Sequence, residues 1–244
     1  MPAWTASSSS PGSSGNRIHP TAIIGPEVEL GDDNIVGAYA VLLGPCRIGS
    51  GNWIGPHAVV GTPGESRGAE HPVDDAPCGN GIVIGDGTVL REFSSIHQGL
   101  HDVTRVGDDV FLMAGGHLGH DVHLDDEVTV ANAVMVGGHT WVGRRANLGL
   151  GAVIHQRSVI GAGAMVAMGA GVKAPIPPYA TVAGSPARVS GVNERQALRE
   201  DAGNGDRSVV DLLLGYYKEK SLADGAPSWL AADVQAYESR HDHA

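Results

Sequence analysis

Seven of the twelve histidines fall between positions 97 and 155, and glycine and glutamine stand among them at repeating intervals. Gly138 lies 18 residues after His120, and Gln156 lies 18 residues after Gly138. A parallel column holds Asp121, His139 and Arg157, while His117 and His155 sit close by in the chain. A neutral imidazole takes a proton from a hydroxyl or amine at neutral pH. A glycine beside it leaves a backbone N–H uncovered, which suits a developing oxyanion. Together, His120 as base and Gly138 as oxyanion donor point to acyl transfer. The plainer reading, an exposed polar column, is kept for His57 and His123. His117, His120 and His123 are also spaced by three, and zinc needs about three imidazoles at about 2.1 Å. They fall on different faces of the repeat described next, so no metal site is expected.

The element that positions these residues is a six-residue repeat. Aliphatic residues recur every six positions from Ile18 to Val60 and again from Val106 to Val172. The residue after the aliphatic one is often glycine, and the fifth is often small. A period of six fits neither a helix nor a flat strand; it fits a parallel β-helix in which three hexads close one coil. Residues 18 apart then stack at about 4.8 Å. The glycines are expected to serve the turns, and Cys46, at a fifth position, is expected to pack inside. The repeat breaks at 61–83 and 97–105, which read as loops leaving the prism. The β-helix is assigned to 17–190, with its prism ending near Pro175–Pro178, and residues 1–16, rich in Ser, Gly and Pro, to a disordered tail. Residues 191–244 form an α-helical C-terminal region, with two helices expected over 207–218 and 228–240 and a linker at 201–206.

Composition narrows the partners. Lys+Arg 16 against Asp+Glu 27 leaves a net charge of −11, which argues against nucleic acid and anionic membranes. No apolar run approaches the roughly 18 residues of a membrane span. The first residues lack a basic start and an apolar core, so a cytoplasmic location is expected. Cys46 and Cys78 are too few for a disulfide framework or a structural zinc site.

Several segments carry a specific resemblance: LREFSSIHQG (90–99), FLMAGGHLGHD (111–121), VANAVMVGGH (130–139), GAVIHQ (151–156), IPPYATVAG (176–184) and GVN (191–193). In order and spacing the chain resembles the bacterial acyl-carrier-protein-dependent UDP-N-acetylglucosamine O-acyltransferases of lipid A synthesis, within the hexapeptide-repeat acyltransferases. The resemblance implies a left-handed parallel β-helix, a homotrimer with its cleft between neighbouring prisms, and acyl carrier protein and a UDP-sugar as partners. It implies that His120 deprotonates the sugar 3-hydroxyl and that Gly138 supplies the oxyanion hole. His97, His117, His139, His155 and Gln156 match residues lining the cleft, and Asn193 and Arg199 match nucleotide-phosphate contacts. Met168, thirteen residues after His155, matches the residue that closes the acyl groove. As a third-position residue it is expected to continue the edge of His120, Gly138 and Gln156, and to favour short or medium chains. No cofactor is expected, since the acyl group arrives on acyl carrier protein or coenzyme A.

The departures cluster away from the base. The family follows GVN with two adjacent arginines, where this chain has Arg199 and Glu200, so Glu200 is expected to face the phosphates and weaken their binding. The first loop holds Asp74 and Asp75 but no lysine, Gly115 replaces an asparagine, and GSPAR (184–188) looks like coenzyme-A-dependent sugar acetyltransferases. The departures leave acyl transfer, from acyl carrier protein or coenzyme A, to another sugar nucleotide or specialised metabolite as an alternative; beside it stand a zinc enzyme of the γ-carbonic-anhydrase type, from the histidine spacing, and a non-catalytic trimeric scaffold.

Overall fold

A computed structural model describes residues 5–6, 15–68, 71, 78–201 and 207–241. The hexads form a three-sided parallel prism. Among the described residues its sides are sheets of eleven, seven and eight strands, and within the coils each strand pairs in parallel with strands one coil away, chain neighbours pairing only at the two ends of the eleven-stranded sheet. The register follows the repeat: Thr129 pairs with Asn147, His117 with Met135 and His123 with Trp141, each 18 residues on. The first residue of each hexad fills the interior, where Val36, Leu42, Leu112, Leu118, Val136 and Leu148 are fully buried. Cys46 is buried there too, and burial pushes its thiol pKa up to about 12.

The turns are not made by the glycines that follow the aliphatic residues. The left-handed backbone falls on the fourth position, where Tyr39, His57, Phe93, Asp121, His139 and Arg157 have φ between 57° and 60°. The second-position glycines are needed for close approach instead. A Cβ on Gly37 would lie 2.7 Å from Pro56 N, and one on Gly137 would lie 2.6 Å from Gln156 N. The next coil leaves no room for a side chain there.

Two excursions leave the prism. Strands Val59–Thr62 and Ile82–Ile84 bracket residues 63–81, and Ser95–His97 and Thr104–Val106 bracket 98–103, so both loops are shorter than the breaks in the repeat suggest. The prism also runs past Pro175–Pro178. Strand Ala180–Ala183 joins the eleven-stranded sheet, and Arg188–Val192 closes it antiparallel. Most of the tail assigned to 1–16 lies outside the described residues; within it Thr5–Ala6 pairs antiparallel with Arg17–Ile18.

Among the described residues three helices follow rather than two: α1 (Glu194–Glu200), α2 (Ser208–Glu219) and α3 (Ser228–His241). Residues 202–206, the larger part of the expected linker, lie outside the described residues. A second core of Tyr179, Val210, Leu213, Leu230 and Val234 joins helices to prism. Arg144 fastens them further, donating to Asp233 at 2.9 Å and to Glu200 at 3.2 Å, while the Tyr179 hydroxyl donates to Asp233 at 2.6 Å. Among the described residues, no helix is long and apolar enough to cross a membrane.

One side stays apolar and open. Ile23, Met135 and Val153 point out from the eight-stranded sheet. Tyr39, Phe93, Leu150 and Met168 line the edge it shares with the eleven-stranded sheet, all at least half exposed. Along this edge the Tyr39, His57 and Phe93 rings stack at 5.1 Å.

Candidate active site

The opposite edge of the eight-stranded sheet, where it meets the seven-stranded one, carries the histidines. His120 stands at the turn between His117–Leu118 and His123–Leu124, and Gly138 at the same turn one coil on. The left-handed turn at Asp121, φ 58°, swings its carboxylate back onto its neighbour. The His120 Nδ1 to Asp121 Oδ2 distance is 2.7 Å, and both side chains are largely buried.

Asp121 is held on its other side by the loop at 98–103. Its Oδ1 accepts the backbone N–H groups of Leu100, His101 and Asp102 at 3.0, 2.9 and 2.7 Å. Burial pushes this carboxyl pKa up, but the Asp102 amide, His120 and the His101 amide outweigh it and hold the value down at about 2. An ionised carboxylate only accepts, so His120 Nδ1 donates to it, and in the neutral ring the lone pair lies on Nε2. That lone pair sits against the next coil. A Cβ on Gly138 would fall 2.7 Å from both Nε2 and Cε1 of His120, so glycine is what lets the ring lie there. The Gly138 amide donates to no described group, whereas its carbonyl accepts from Arg157. Third-position amides such as those of His120 and Gly138 have no backbone acceptor among the described residues, and Pro20, Pro26 and Pro56, which carry no N–H, are tolerated at the same position. The His120 Nε2 and the Gly138 amide thus share one corner.

His139 joins them, with Nε2 at 3.4 Å from Asp121 Oδ2 and its ring edge-on to His120 at 5.0 Å. Burial lowers its pKa, Asp121 pulls the other way, and Arg157 and His120 lower it further. His117 lies one turn back on the eight-stranded face. Its Nδ1 meets Ser95 Oγ at 2.9 Å and its Nε2 meets Glu65 Oε2 at 3.3 Å. His97 packs edge-on to it at 4.9 Å, and burial, then the charge of His117, lowers its pKa.

The remaining expected site residues separate. His155 and Gln156 lie one coil beyond Gly138 and are exposed, with His155 Nδ1 donating to the Gln156 carbonyl at 3.0 Å. Asn193 and Arg199 lie on another side, lining a groove of about 510 Å³ with Arg145, Arg195 and Gln196 over the eleven-stranded sheet. Met168 does not continue the His120 column. It is twelve residues from Gln156, two-thirds of a coil, so it stands across the eight-stranded sheet on the far edge, 74% exposed. Glu200 does not face the groove as a free anion either. It is buried, accepts from Arg144, Arg145 and Gln196, and is held below the usual carboxylate range because these bonds outweigh its burial.

Sequence reasoning gave no role to Asp121, Ser95 or Glu65. The His-Asp pair at 120–121 is a visible signal for the first. Ser95 and Glu65 carry no such signal, because a register across one loop and the path of another bring them to His117. Among the described residues, two sets of side chains have ligand atoms close enough to hold a metal: Glu65, His97 and His117, and His101, Asp121 and His139. His117 and His123 point from different sheets, and His123 pairs with Asp125 at 3.1 Å.

No protein-family model matches the chain. Among curated proteins, an acyl-[acyl-carrier-protein]–UDP-N-acetylglucosamine O-acyltransferase from Halorhodospira halophila is 37% identical, over 90% of this chain and 93% of that one. The protein of the same description from Herminiimonas arsenicoxydans is 35% identical, over 82% and 81%. The crystal structure of a UDP-N-acetylglucosamine acyltransferase from Bacteroides fragilis superposes with a TM-score of 0.72 at 26% identity, covering 90% of each chain. Sequence and coil therefore agree, and the chain belongs to the family of acyl-[acyl-carrier-protein]–UDP-N-acetylglucosamine O-acyltransferases.

Proposed function

We propose that this chain moves an acyl group from an acyl-carrier-protein thioester to the 3-hydroxyl of UDP-N-acetylglucosamine, with His120 as general base. The observation that carries the base is the His120–Asp121 bond, which leaves Nε2 free beside the open Gly138 amide. Nε2 takes the proton of the sugar hydroxyl. The oxygen attacks the thioester carbonyl carbon, and the oxyanion that forms accepts the Gly138 N–H. Collapse expels the thiolate, which recovers the proton from His120. Asp121 keeps the ring in one tautomer and faces the imidazolium while it lasts. The thioester is already activated, so this scheme draws on no cofactor.

His97, His117, His139, His155 and Gln156 lie along the same edge and face and are assigned to acyl chain and sugar. Asn193 and Arg199, with Arg145 and Arg195, are assigned to the nucleotide phosphates, for which arginine forks are suited. Base and arginine groove lie on different sides of one prism. A substrate that touches both spans two chains, which supports a homotrimer. The open apolar side, with Met135, Val153 and Met168, supports the same closure and offers the acyl chain a path between prisms. The coil is assigned the left hand on the sequence resemblance, and the superposition with the Bacteroides fragilis structure supports a shared hand. The setting is assigned to the cytoplasm, where acyl carrier protein and UDP-sugars meet.

The test is a matrix of acyl donors on acyl carrier protein or coenzyme A against a panel of UDP-sugars, read by mass spectrometry. An acylated UDP-N-acetylglucosamine formed from the carrier-protein donor is expected. A coenzyme A donor, or another sugar, preferred more than tenfold would overturn the assignment.

A further inference from the structure

The two oxygens of Asp121 have separate surroundings. Oδ1 is taken up by three amides of the loop that carries His101. Oδ2 faces three imidazoles: His120 Nδ1 at 2.7 Å, His139 Nε2 at 3.4 Å and His101 Nδ1 at 3.6 Å. The ligand atoms of His101, Asp121 and His139 all lie within 4.8 Å of one another. We propose that His101 Nδ1, Asp121 Oδ2 and His139 Nε2 bind one zinc-class divalent cation per chain, and that this cation restrains the acyl-transfer site.

The spacing fits. A tetrahedral site with metal–ligand distances of about 2.1 Å has ligand atoms about 3.4 Å apart. Two of the three separations here, 3.4 and 3.6 Å, are already close to that edge. Two imidazoles and one carboxylate suit zinc, cobalt or nickel, whereas magnesium and calcium take oxygen ligands. The three amides on Oδ1 are the outer support a ligating carboxylate needs, and they turn Oδ2 toward the imidazoles. His101 is the adjustable ligand: its side chain is 74% exposed on an edge loop, so rotation alone tightens the set. A water completes the coordination.

A bound cation and the His120 N–H draw on the same oxygen. Metal binding therefore loosens the contact that orients His120, and turnover falls. The loss of turnover rests on the reading of His120 as base; the binding does not.

The experiment uses chelator-treated, metal-free protein titrated with Zn²⁺ against a chromophoric chelator, and with Co²⁺ followed by visible absorption. One ion per chain and the intense spectrum of four-coordinate cobalt are expected. His101→Gln should weaken zinc at least tenfold, with unchanged melting and unchanged metal-free turnover. Zinc should slow the native enzyme and spare His101→Gln. Unchanged zinc affinity in His101→Gln, or loss of binding in Glu65→Gln instead, overturns the site. Binding that depends on His101 but leaves turnover untouched keeps the site and removes its link to His120, whereas His120→Ala turning over normally without metal removes the base and leaves the site standing.

Discussion

An alanine at position 138 would put a methyl carbon 2.7 Å from both Cε1 and Nε2 of His120. Carbon contacts settle at about 3.5–4.0 Å, so the ring must retreat by about 1 Å. The backbone has nothing to adjust, since Gly138 is not among the positive-φ glycines. The strain therefore goes into the His120 ring, whose Nδ1 is tied to Asp121 at 2.7 Å. Moving a catalytic group by about 1 Å costs roughly 10²-fold in rate. That corresponds to about 2.7 kcal/mol of barrier. Gly138→Ala keeps its backbone N–H, so this loss would come from the proposed base and not from the proposed oxyanion donor. The expected result is kcat down about a hundredfold, KM changed little, and unfolding free energy within about 1 kcal/mol of the native protein. Steady-state kinetics and a denaturant melt on one preparation read both. A folded variant with native kcat would refute the placement of the base against Gly138.

Asp121→Asn, which no longer selects the Nδ1–H tautomer, should lower turnover by roughly 10²–10⁴. The same carboxyl links stability to pH. Its folded pKa is held at about 2, below its ordinary 3.8, so its contribution is present above about pH 4 and is lost as pH falls toward 2. Unfolding free energies from urea melts at pH 5 and pH 2.5 should differ by on the order of 1–2 kcal/mol more for the native chain than for Asp121→Asn. Glu200→Arg should not tighten UDP-N-acetylglucosamine binding; it leaves Arg144 and Arg145 facing a third cation and should destabilise by roughly 3–5 kcal/mol, and tighter binding at native stability would contradict this. If the proposed acyl path runs over the eight-stranded sheet to Met168, Met168→Gly should shift the donor preference to longer acyl chains by about ten- to a hundredfold; an unchanged donor-length profile would contradict it.

The coil was legible because its repeat is written in single residues. An aliphatic residue every sixth position has one way to be buried, and stacking at 18 residues then brings His120 and Gly138 together without further information. The same arithmetic, carried to Met168 over an interval that is not a whole coil, gave the wrong edge. The role of the glycines was misjudged for a related reason. Their need is set by the coil above, as with Gly137 against Gln156, and not by their own φ. The His120–Asp121 contact depends on a left-handed turn taken by an aspartate, which residue type alone does not announce. Glu200 was beyond reach, because its partners Arg144 and Arg145 are 56 and 55 residues away and meet it only when the helices dock. Helix α1 buries a single residue, Ala197, and so shows no apolar period.

The most direct test of the account is single-turnover acyl transfer by His120→Ala beside the native chain, with melting measured on the same samples. The substrates are the acyl-carrier-protein thioester and UDP-N-acetylglucosamine. Product formation should fall by roughly 10²–10⁴ while the melting temperature holds, the usual worth of a general base. Native-rate acylation by folded His120→Ala would contradict the assignment of His120 as the base.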